Sequence, residues 1–405
     1  MGSYWKNVSV VFSGAVVAQI IPIIGALFIA RIYTPSDYGA YSLWLAVVFI
    51  LGVIFTLRYE AALALEGDGE ERSSAVVATL ITTLLVGVLF SAILAITCVV
   101  FPSLLQQFSY LALISFIPAG VLLSFNMVLQ GWAAADGRYN QLNILRLIFA
   151  SSVTLLQIVA GMFFAGELTL LLMHTLGLFI SFCFALCLYP IPIKSIRSIR
   201  YTMISFWQRR RRFPIFSLPA DLTSTVTAQL PLIIVTSRFG SEIGGLLALT
   251  LRILSAPLGI LGKAVLDVFK RYAVVEMNET RSCKNIYIKT FKILCLGSIG
   301  LIVGVLLFAE WFFILAFGSE WADAGLYAIW LLPLFALRFV ASPLSYTIYI
   351  VEKQSWDLVW QVSLLVVTLL ALSISGDFRS VMLVYTYAAS LMYLIYLYLT
   401  YRLSK

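Results

Sequence analysis

Apolar runs of twenty or more residues occupy most of this chain, and they constrain it more than any other feature. A segment that long and that apolar crosses a bilayer as a helix, because only hydrogen bonding closed within the segment satisfies its backbone in lipid. Of the 405 residues, 61% are hydrophobic and 11% charged. Soluble domains run at about 45–50% and about 25%, and no linker here is long enough to hold one. The alternating ten-residue segments of a β-barrel are missing. The runs predict twelve spans, near residues 8–30, 39–57, 75–101, 109–130, 144–165, 168–190, 214–237, 243–268, 290–316, 323–351, 357–375 and 380–401. Aromatic residues such as Tyr4, Trp5, Trp311, Phe312, Trp356 and Trp360 fall near run ends, where interfacial belts form. The first run is too long for a secretory leader and reads as a retained span.

Charge sets the expected orientation. Of the 27 Lys and Arg, all but five fall at the termini or in the even-numbered loops. Arg31, Arg238 and Arg379 lie in odd loops, and Arg252 and Arg338 inside spans. This bias predicts a multi-pass protein with both termini in the cytoplasm. The longest connection, residues 191–213, carries the run Arg209-Arg210-Arg211-Arg212. In this setting such a run reads as an anchor against anionic membrane lipid, not as a nucleic-acid site. It divides the chain into a six-helix lobe at 1–190 and another at 214–405.

A phrase recurs between those halves. Residues 29–39 end Tyr33-Thr34-Pro35-Ser36-Asp37-Tyr38-Gly39, and residues 235–244 carry Phe239, Ser241, Glu242 and Gly244 in the same order. Six spans separate the two copies, so the repeat is parallel, about an axis along the membrane normal. The expected fold is therefore an all-α integral membrane protein with about twelve transmembrane helices in two parallel six-helix lobes around a central cavity. That architecture belongs to transporters. Both copies fall on outer-side turns, expected to be equivalent hinges at a periplasmic gate.

Little in the chain asks for catalysis. There is one histidine, His174, which suits a satisfied interhelical contact. Five cysteines form no framework, and Cys183 with Cys187 makes a poor metal site without further ligands. No phosphate-binding loop of the Gly-x-x-x-x-Gly-Lys type occurs. We expect no enzyme activity, no metal and no cofactor. A coupling ion, proton or sodium, stays open.

Ionisable groups within spans default to functional candidates because burying them in lipid is costly. Arg252 and Arg338 lie well inside, Arg146 early in the fifth span, Arg58 and Glu60 at the end of the second, and Arg31 at the end of the first. In the seventh span Ser217, Asp221, Thr225 and Gln229 recur every four residues, a polar stripe beside Pro214, Pro219 and Pro231. Such a stripe lines a cavity or glues helices together. Asn126 and Gln130 make a similar pair in the fourth span. The surplus of arginine favours an anionic ligand, since guanidinium grips phosphate. Buried ion pairing, with Asp221 as a partner for Arg252 or Arg338, is the competing account, and Arg31 and Arg58 also suit loop braces.

These residues, in this order, resemble the bacterial polysaccharide flippases of the O-antigen (Wzx) type, in the multidrug/oligosaccharidyl-lipid/polysaccharide exporter superfamily. The likeness runs through Lys6-Asn7-Val8, Ser13-Gly14, Ala30 to Gly39, Leu57-Arg58-Tyr59-Glu60 and Leu129-Gln130-Gly131-Trp132. It continues in Phe213-Pro214, Ser217 to Asp221, Gln229-Leu230-Pro231, Phe239 to Glu242, Ala248 to Pro257 and Ser345 to Gln354. The stretch Ala133-Ala134-Ala135 departs from the more basic pattern expected there.

The resemblance implies translocation of an undecaprenyl-diphosphate-linked oligosaccharide from the cytoplasmic to the periplasmic leaflet of the inner membrane by alternating access. The product would feed O-antigen, capsule or exopolysaccharide assembly. It implies Arg252, Arg338, Arg146, Arg31, Arg58, Asn126, Gln130 and Gln229 around the diphosphate, and Asp221, Thr225, Glu60 or Asp267 in coupling. A polysaccharide polymerase and a chain-length regulator would be partners. The alternatives are an ion-coupled multidrug exporter of the same superfamily and a membrane-embedded glycan polymerase or ligase.

Overall fold

The computed structural model describes residues 2–101, 108–191 and 199–405, and the side chains of 13–101, 108–191 and 203–405. Tyr4, Trp5, Lys6, Asn7 and Val8, named above, have side chains outside that set. Among the described residues, twelve helices are long and apolar enough to cross a membrane. They are α1 (Gly2–Ile32), α2 (Pro35–Thr56), α3 (Glu70–Val100), α4 (Tyr110–Ala135), α5 (Tyr139–Gly161) and α6 (Glu167–Leu188). Then come α7 (Phe213–Phe239), α8 (Ser241–Thr280), α9 (Lys284–Phe317), α10 (Ser319–Ile350), α11 (Gln354–Ser373) and α12 (Phe378–Leu403). Each expected span overlaps one of them; seven overrun their helix by one to four residues, most at the fifth, expected to reach 165 where α5 ends at Gly161. The largest difference is α8, which runs on past its apolar stretch through Asp267, Lys270, Arg271 and Glu276, a polar surface that suits water better than lipid.

The chain forms two compact units, Met1–Thr225 and Val226–Lys405. The repeat is visible in their internal packing. In the first unit α2 packs on α4, α3 on α4, α4 on α6 and α5 on α6; in the second α8 packs on α10, α9 on α10, α10 on α12 and α11 on α12. Small residues permit the closest approaches, as bilayer helices require. A Cβ on Gly177 of α6 would lie 2.7 Å from Val153 Cα of α5, and one on Gly325 of α10 would lie 2.7 Å from Glu310 Cα of α9. Polar groups are met across helices. Trp44 Nε1 donates to Ser115 Oγ at 2.9 Å, and Tyr41 Oη lies 2.8 Å from His174 Nδ1, so the lone histidine is an interhelical contact as expected.

The repeated phrase has a physical role in each unit. Thr34 and Asp37 form a capping box that starts α2. Tyr33 Oη donates to the Gln157 carbonyl of α5 at 2.8 Å, and Asp37 Oδ1 accepts from the Glu167 N–H that opens α6 at 3.1 Å. Burial and the neighbouring Asp37 push the Tyr33 phenol up to about 12. In the second unit Arg238 donates to the carbonyls of Leu372 and Ile374 at the end of α11. Phe239 meets Phe378 at the start of α12. Each turn is thus tied to the last helix pair of its own unit.

Proline breaks the regular ladder in two helices. Pro214 lies within a π-turn, Phe213–Ser217, at the start of α7, with Pro219 just after it, and Pro257 precedes another, Leu258–Gly262, within α8. Proline lacks the N–H for the usual bond four residues back, so the helix locally widens or bends.

Candidate functional site

The second helix ends abruptly. Leu57 and Arg58 both take left-handed backbone angles, with φ of 49° and 62°. Such angles are costly for residues with a Cβ and persist only where surrounding contacts enforce them. The Thr56 hydroxyl helps, accepting from the Arg58 N–H at 3.2 Å. The reversal sends the chain into a one-turn helix, Tyr59–Ala62, packed under α4. Gly131 makes this fit possible, since a Cβ there would lie 3.2 Å from the Glu60 carbonyl oxygen.

The result is a charged trio within the first unit. Arg58 Nη1 lies 2.7 Å from Glu60 Oε1, and Arg58 Nε pairs with Asp221 Oδ2. One guanidinium therefore serves two carboxylates. Glu60 is buried and its second oxygen, Oε2, makes no hydrogen bond. An unmet buried carboxylate oxygen has a desolvation cost, and here it leaves the trio one positive charge short. Three sequence candidates from distant stretches are thereby brought together. Within the first unit, the carboxylate of Asp221 pairs with Arg58.

The other candidates divide. Arg146 of α5 is half-buried, its Nη1 is shielded without a hydrogen bond, and no carboxylate lies within 4 Å among the described residues. Arg338 of α10 is half-buried beside Phe335, with the guanidinium carbon 6.0 Å from the ring centroid, and near Tyr385 and Tyr393. Arg252 is half-buried in α8, and Arg31 is exposed at the end of α1. Along α7, Ser217, Asp221, Thr225 and Gln229 are half-buried, as are their neighbours Leu218, Leu222 and Val226; Gln130 is half-buried in α4. Asn126 is a correction. It is buried, donates through Nδ2 to the carbonyls of Leu122 and Leu178, and accepts from Ser181 Oγ at 2.6 Å. Its amide fastens α4 to α6, with both N–H donors used and one carbonyl lone pair taken.

Two features escaped the sequence. Asp357, at the start of α11, is buried and accepts from Gln361 Nε2 at 2.8 Å, Tyr349 Oη at 3.2 Å and Tyr396 Oη. Its i+4 spacing to Gln361 was a usable signal, but the tyrosines come from elsewhere in the chain. The second is a helix, Ile199–Arg210, preceding α7. Its Phe206 is buried against Tyr59, its Trp207 Nε1 donates to Thr82 Oγ1 at 2.9 Å, and Arg209 and Arg210 close on the buried Glu66. Arg209 and Arg210 are therefore ion-paired to the first unit.

With this geometry in view, comparison with known proteins decides the family. A family model described as "Polysaccharide biosynthesis protein" matches residues 28–325. The chain belongs to that family. A comparison with curated protein sequences finds no match. Among solved structures, the chain is similar to an inward-facing multidrug resistance MATE family transporter of the MOP superfamily, with 14% identity, 96% of this chain and 94% of that one covered, and a TM-score of 0.73. It is also similar to the lipid II flippase MurJ in an inward closed conformation, with 14% identity, 96% and 87% coverage, and a TM-score of 0.72. A MOP superfamily transporter from Pyrococcus furiosus matches at 14% identity, 98% and 95% coverage, and a TM-score of 0.55. At these identities the likeness establishes the fold. This member of the polysaccharide-biosynthesis family thus has the all-helical MOP transporter fold.

Proposed function

We propose that this protein flips a lipid-linked oligosaccharide, carried on undecaprenyl diphosphate, from the cytoplasmic to the periplasmic leaflet of a bacterial inner membrane by alternating access. The observation that carries this reading is the family match to polysaccharide biosynthesis on a fold shared with transporters, one of them a lipid II flippase. The charge of two half-buried side chains supports it. Arg146 and Arg338 are guanidinium groups without a carboxylate among the described residues, and a desolvated guanidinium stays charged and grips phosphate. In this reading Arg252, Arg146 and Arg338 receive the diphosphate. Gln229, Gln130, Arg31 and Thr225 add polar contacts along its path. Arg58, Glu60 and Asp221 form the group whose pairing a coupling proton or sodium ion would alter. The flipped glycan would pass to a polymerase and its chain-length regulator, in O-antigen, capsule or exopolysaccharide assembly.

The test is genetic and biochemical. Deleting the gene should remove surface glycan and accumulate its lipid-linked precursor, and wild-type protein should restore both. Arg252→Ala should fail to restore glycan at native expression, while Arg252→Lys should restore part of it. Gradient-driven efflux of a dye cation with unchanged surface glycan would instead favour a multidrug exporter. Elongation of glycan by the purified protein would favour a polymerase.

A further inference from the structure

A cavity of about 450 Å³ lies within the first unit, where α3 begins, α4 gives way to α5, and α6 ends. This volume falls in the range of small-molecule sites, about 300–1,000 Å³. Its polar lining is Asp68, Arg72, Asp136 and Arg138, and its aromatic lining is Trp132 and Tyr189. None of these belongs to the diphosphate or coupling groups assigned above. One lining group is incompletely met. Tyr189 is 2% exposed, and its hydroxyl makes no hydrogen bond of normal geometry, only a weak contact with Arg138. A buried hydroxyl without a full partner is under-satisfied, and a ligand that supplies one relieves this.

The charges narrow the ligand. Arg72 is consumed by the protein: it pairs with Asp68 and Asp136, both at 2.6 Å, and donates to the carbonyls of Leu63 and Glu66. Arg138 is held loosely, 3.9 Å from Asp136, with its guanidinium carbon 5.3 Å from the Tyr189 ring centroid. Two carboxylates thus balance two guanidinium groups. A phosphate would meet both aspartates, and a polyamine would meet both arginines. A sugar ring suits every group present. Its hydroxyls donate to carboxylates and accept from Arg138 and Tyr189, and its C–H groups meet the small part of Trp132 that borders the cavity.

We infer that this cavity is a carbohydrate site for one neutral sugar unit, separate from the groups that grip the diphosphate. The sugar could come from the lipid-linked substrate or from a soluble pool. Its assignment to the substrate rests on the proposed flippase function; the sugar chemistry does not.

The experiment uses full-length protein in nanodiscs and saturation-transfer NMR with methyl glycosides of glucose, galactose, mannose, rhamnose, N-acetylglucosamine and N-acetylgalactosamine. At least one should show transfer, Tyr189→Phe should weaken it by about 3–10-fold, the loss of one hydrogen bond, and Arg138→Gln should weaken it similarly. Inorganic pyrophosphate should not displace it. No transfer from any glycoside, an unchanged Tyr189→Phe, or displacement by pyrophosphate would each overturn the site. Displacement by lipid-linked oligosaccharide extracted from the host supports the substrate as source; displacement by free sugars alone overturns that source and leaves the site standing. A wild type that transports lipid-linked oligosaccharide but binds no glycoside loses this site and keeps the flippase reading. One that binds a glycoside but transports nothing does the reverse.

Discussion

Arg210 Nε lies 2.5 Å from Oε1 of Glu66, a carboxylate with no solvent exposure, and Arg209 reaches the other oxygen of the same group at 3.0 Å. A buried carboxylate tolerates such a place only when paired. The helix Ile199–Arg210 is therefore fastened to the first unit by charge at one end and by Phe206 and Trp207 along its length.

Removing the charge should loosen that helix. Glu66→Gln leaves Arg209 paired with Glu71 at 2.7 Å but strips Arg210 of its carboxylate. Trypsin should then cut between residues 199 and 212 about tenfold faster than in wild type, a change of roughly 1.4 kcal/mol in local opening. Equal cleavage rates would show that the aromatic contacts alone hold the helix.

Cys283 gives a pH-dependent expectation. It sits just before α9, buried, with its N–H donating to the Ser404 carbonyl at 2.9 Å. Burial, with the charge of Glu276, pushes its thiol from 9.0 up to about 11. The fold favours the neutral thiol, so the unfolded chain ionises first. Stability is full below about pH 9 and declines as pH rises from there toward about 11, by on the order of 2 kcal/mol. Cys283→Ala should flatten this part of the stability curve, measured by thermal unfolding in detergent. Iodoacetamide at pH 8 should modify Cys283 only after unfolding.

How much of this was legible in advance follows from the range of each interaction. The twelve spans were readable because apolarity is a property of a segment, and lipid leaves the segment one conformation. The parallel repeat was readable because Tyr33 to Gly39 and Phe239 to Gly244 keep their order, although their ties to Gln157, Glu167 and Leu372 were not. Side-chain partners depend on which helix faces which, and the spans carry no unique record of that. Asn126 looked like half of a polar pair with Gln130, yet Leu178 and Ser181 take its amide. Arg209 and Arg210 read as a lipid anchor because the run of four arginines is local, while Glu66, the carboxylate they pair with, lies more than 140 residues away. Asp357 was overlooked because its tyrosines converge from α10 and α12.

Asp357 should be a point of structural weakness when altered. Its carboxylate is acceptor-only and takes three neutral donors. The Tyr396 ring also stacks on Trp360, with centroids 3.9 Å apart. Tyr396→Phe keeps that stacking and removes one donor to a buried charge, at a cost of about 1.5–3 kcal/mol. Asp357→Leu removes the charge as well and leaves Tyr349, Gln361 and Tyr396 without their acceptor. Thermal unfolding should place Tyr396→Phe clearly below wild type. An unchanged midpoint would mean that Gln361 and Tyr349 suffice for the carboxylate.

The trio of Arg58, Glu60 and Asp221 allows folding and transport to be separated. Arg58→Ala leaves Glu60 buried with no cation, whereas Asp221, with a side chain 41% exposed, can turn to solvent. Most of the destabilisation should therefore come from Glu60, about 1–3 kcal/mol after allowing for the partial exposure of Arg58. Glu60→Gln in the Arg58→Ala background should recover much of it, because the amide needs no counter-charge. A double-mutant cycle on thermal stability reads this coupling directly. Asp221→Asn should change stability far less but alter transport, since it frees one edge of the guanidinium while leaving Arg58 on Glu60. If Asp221→Asn carries surface glycan at the wild-type level, the Arg58–Asp221 pair is a brace for α7 and has no part in coupling.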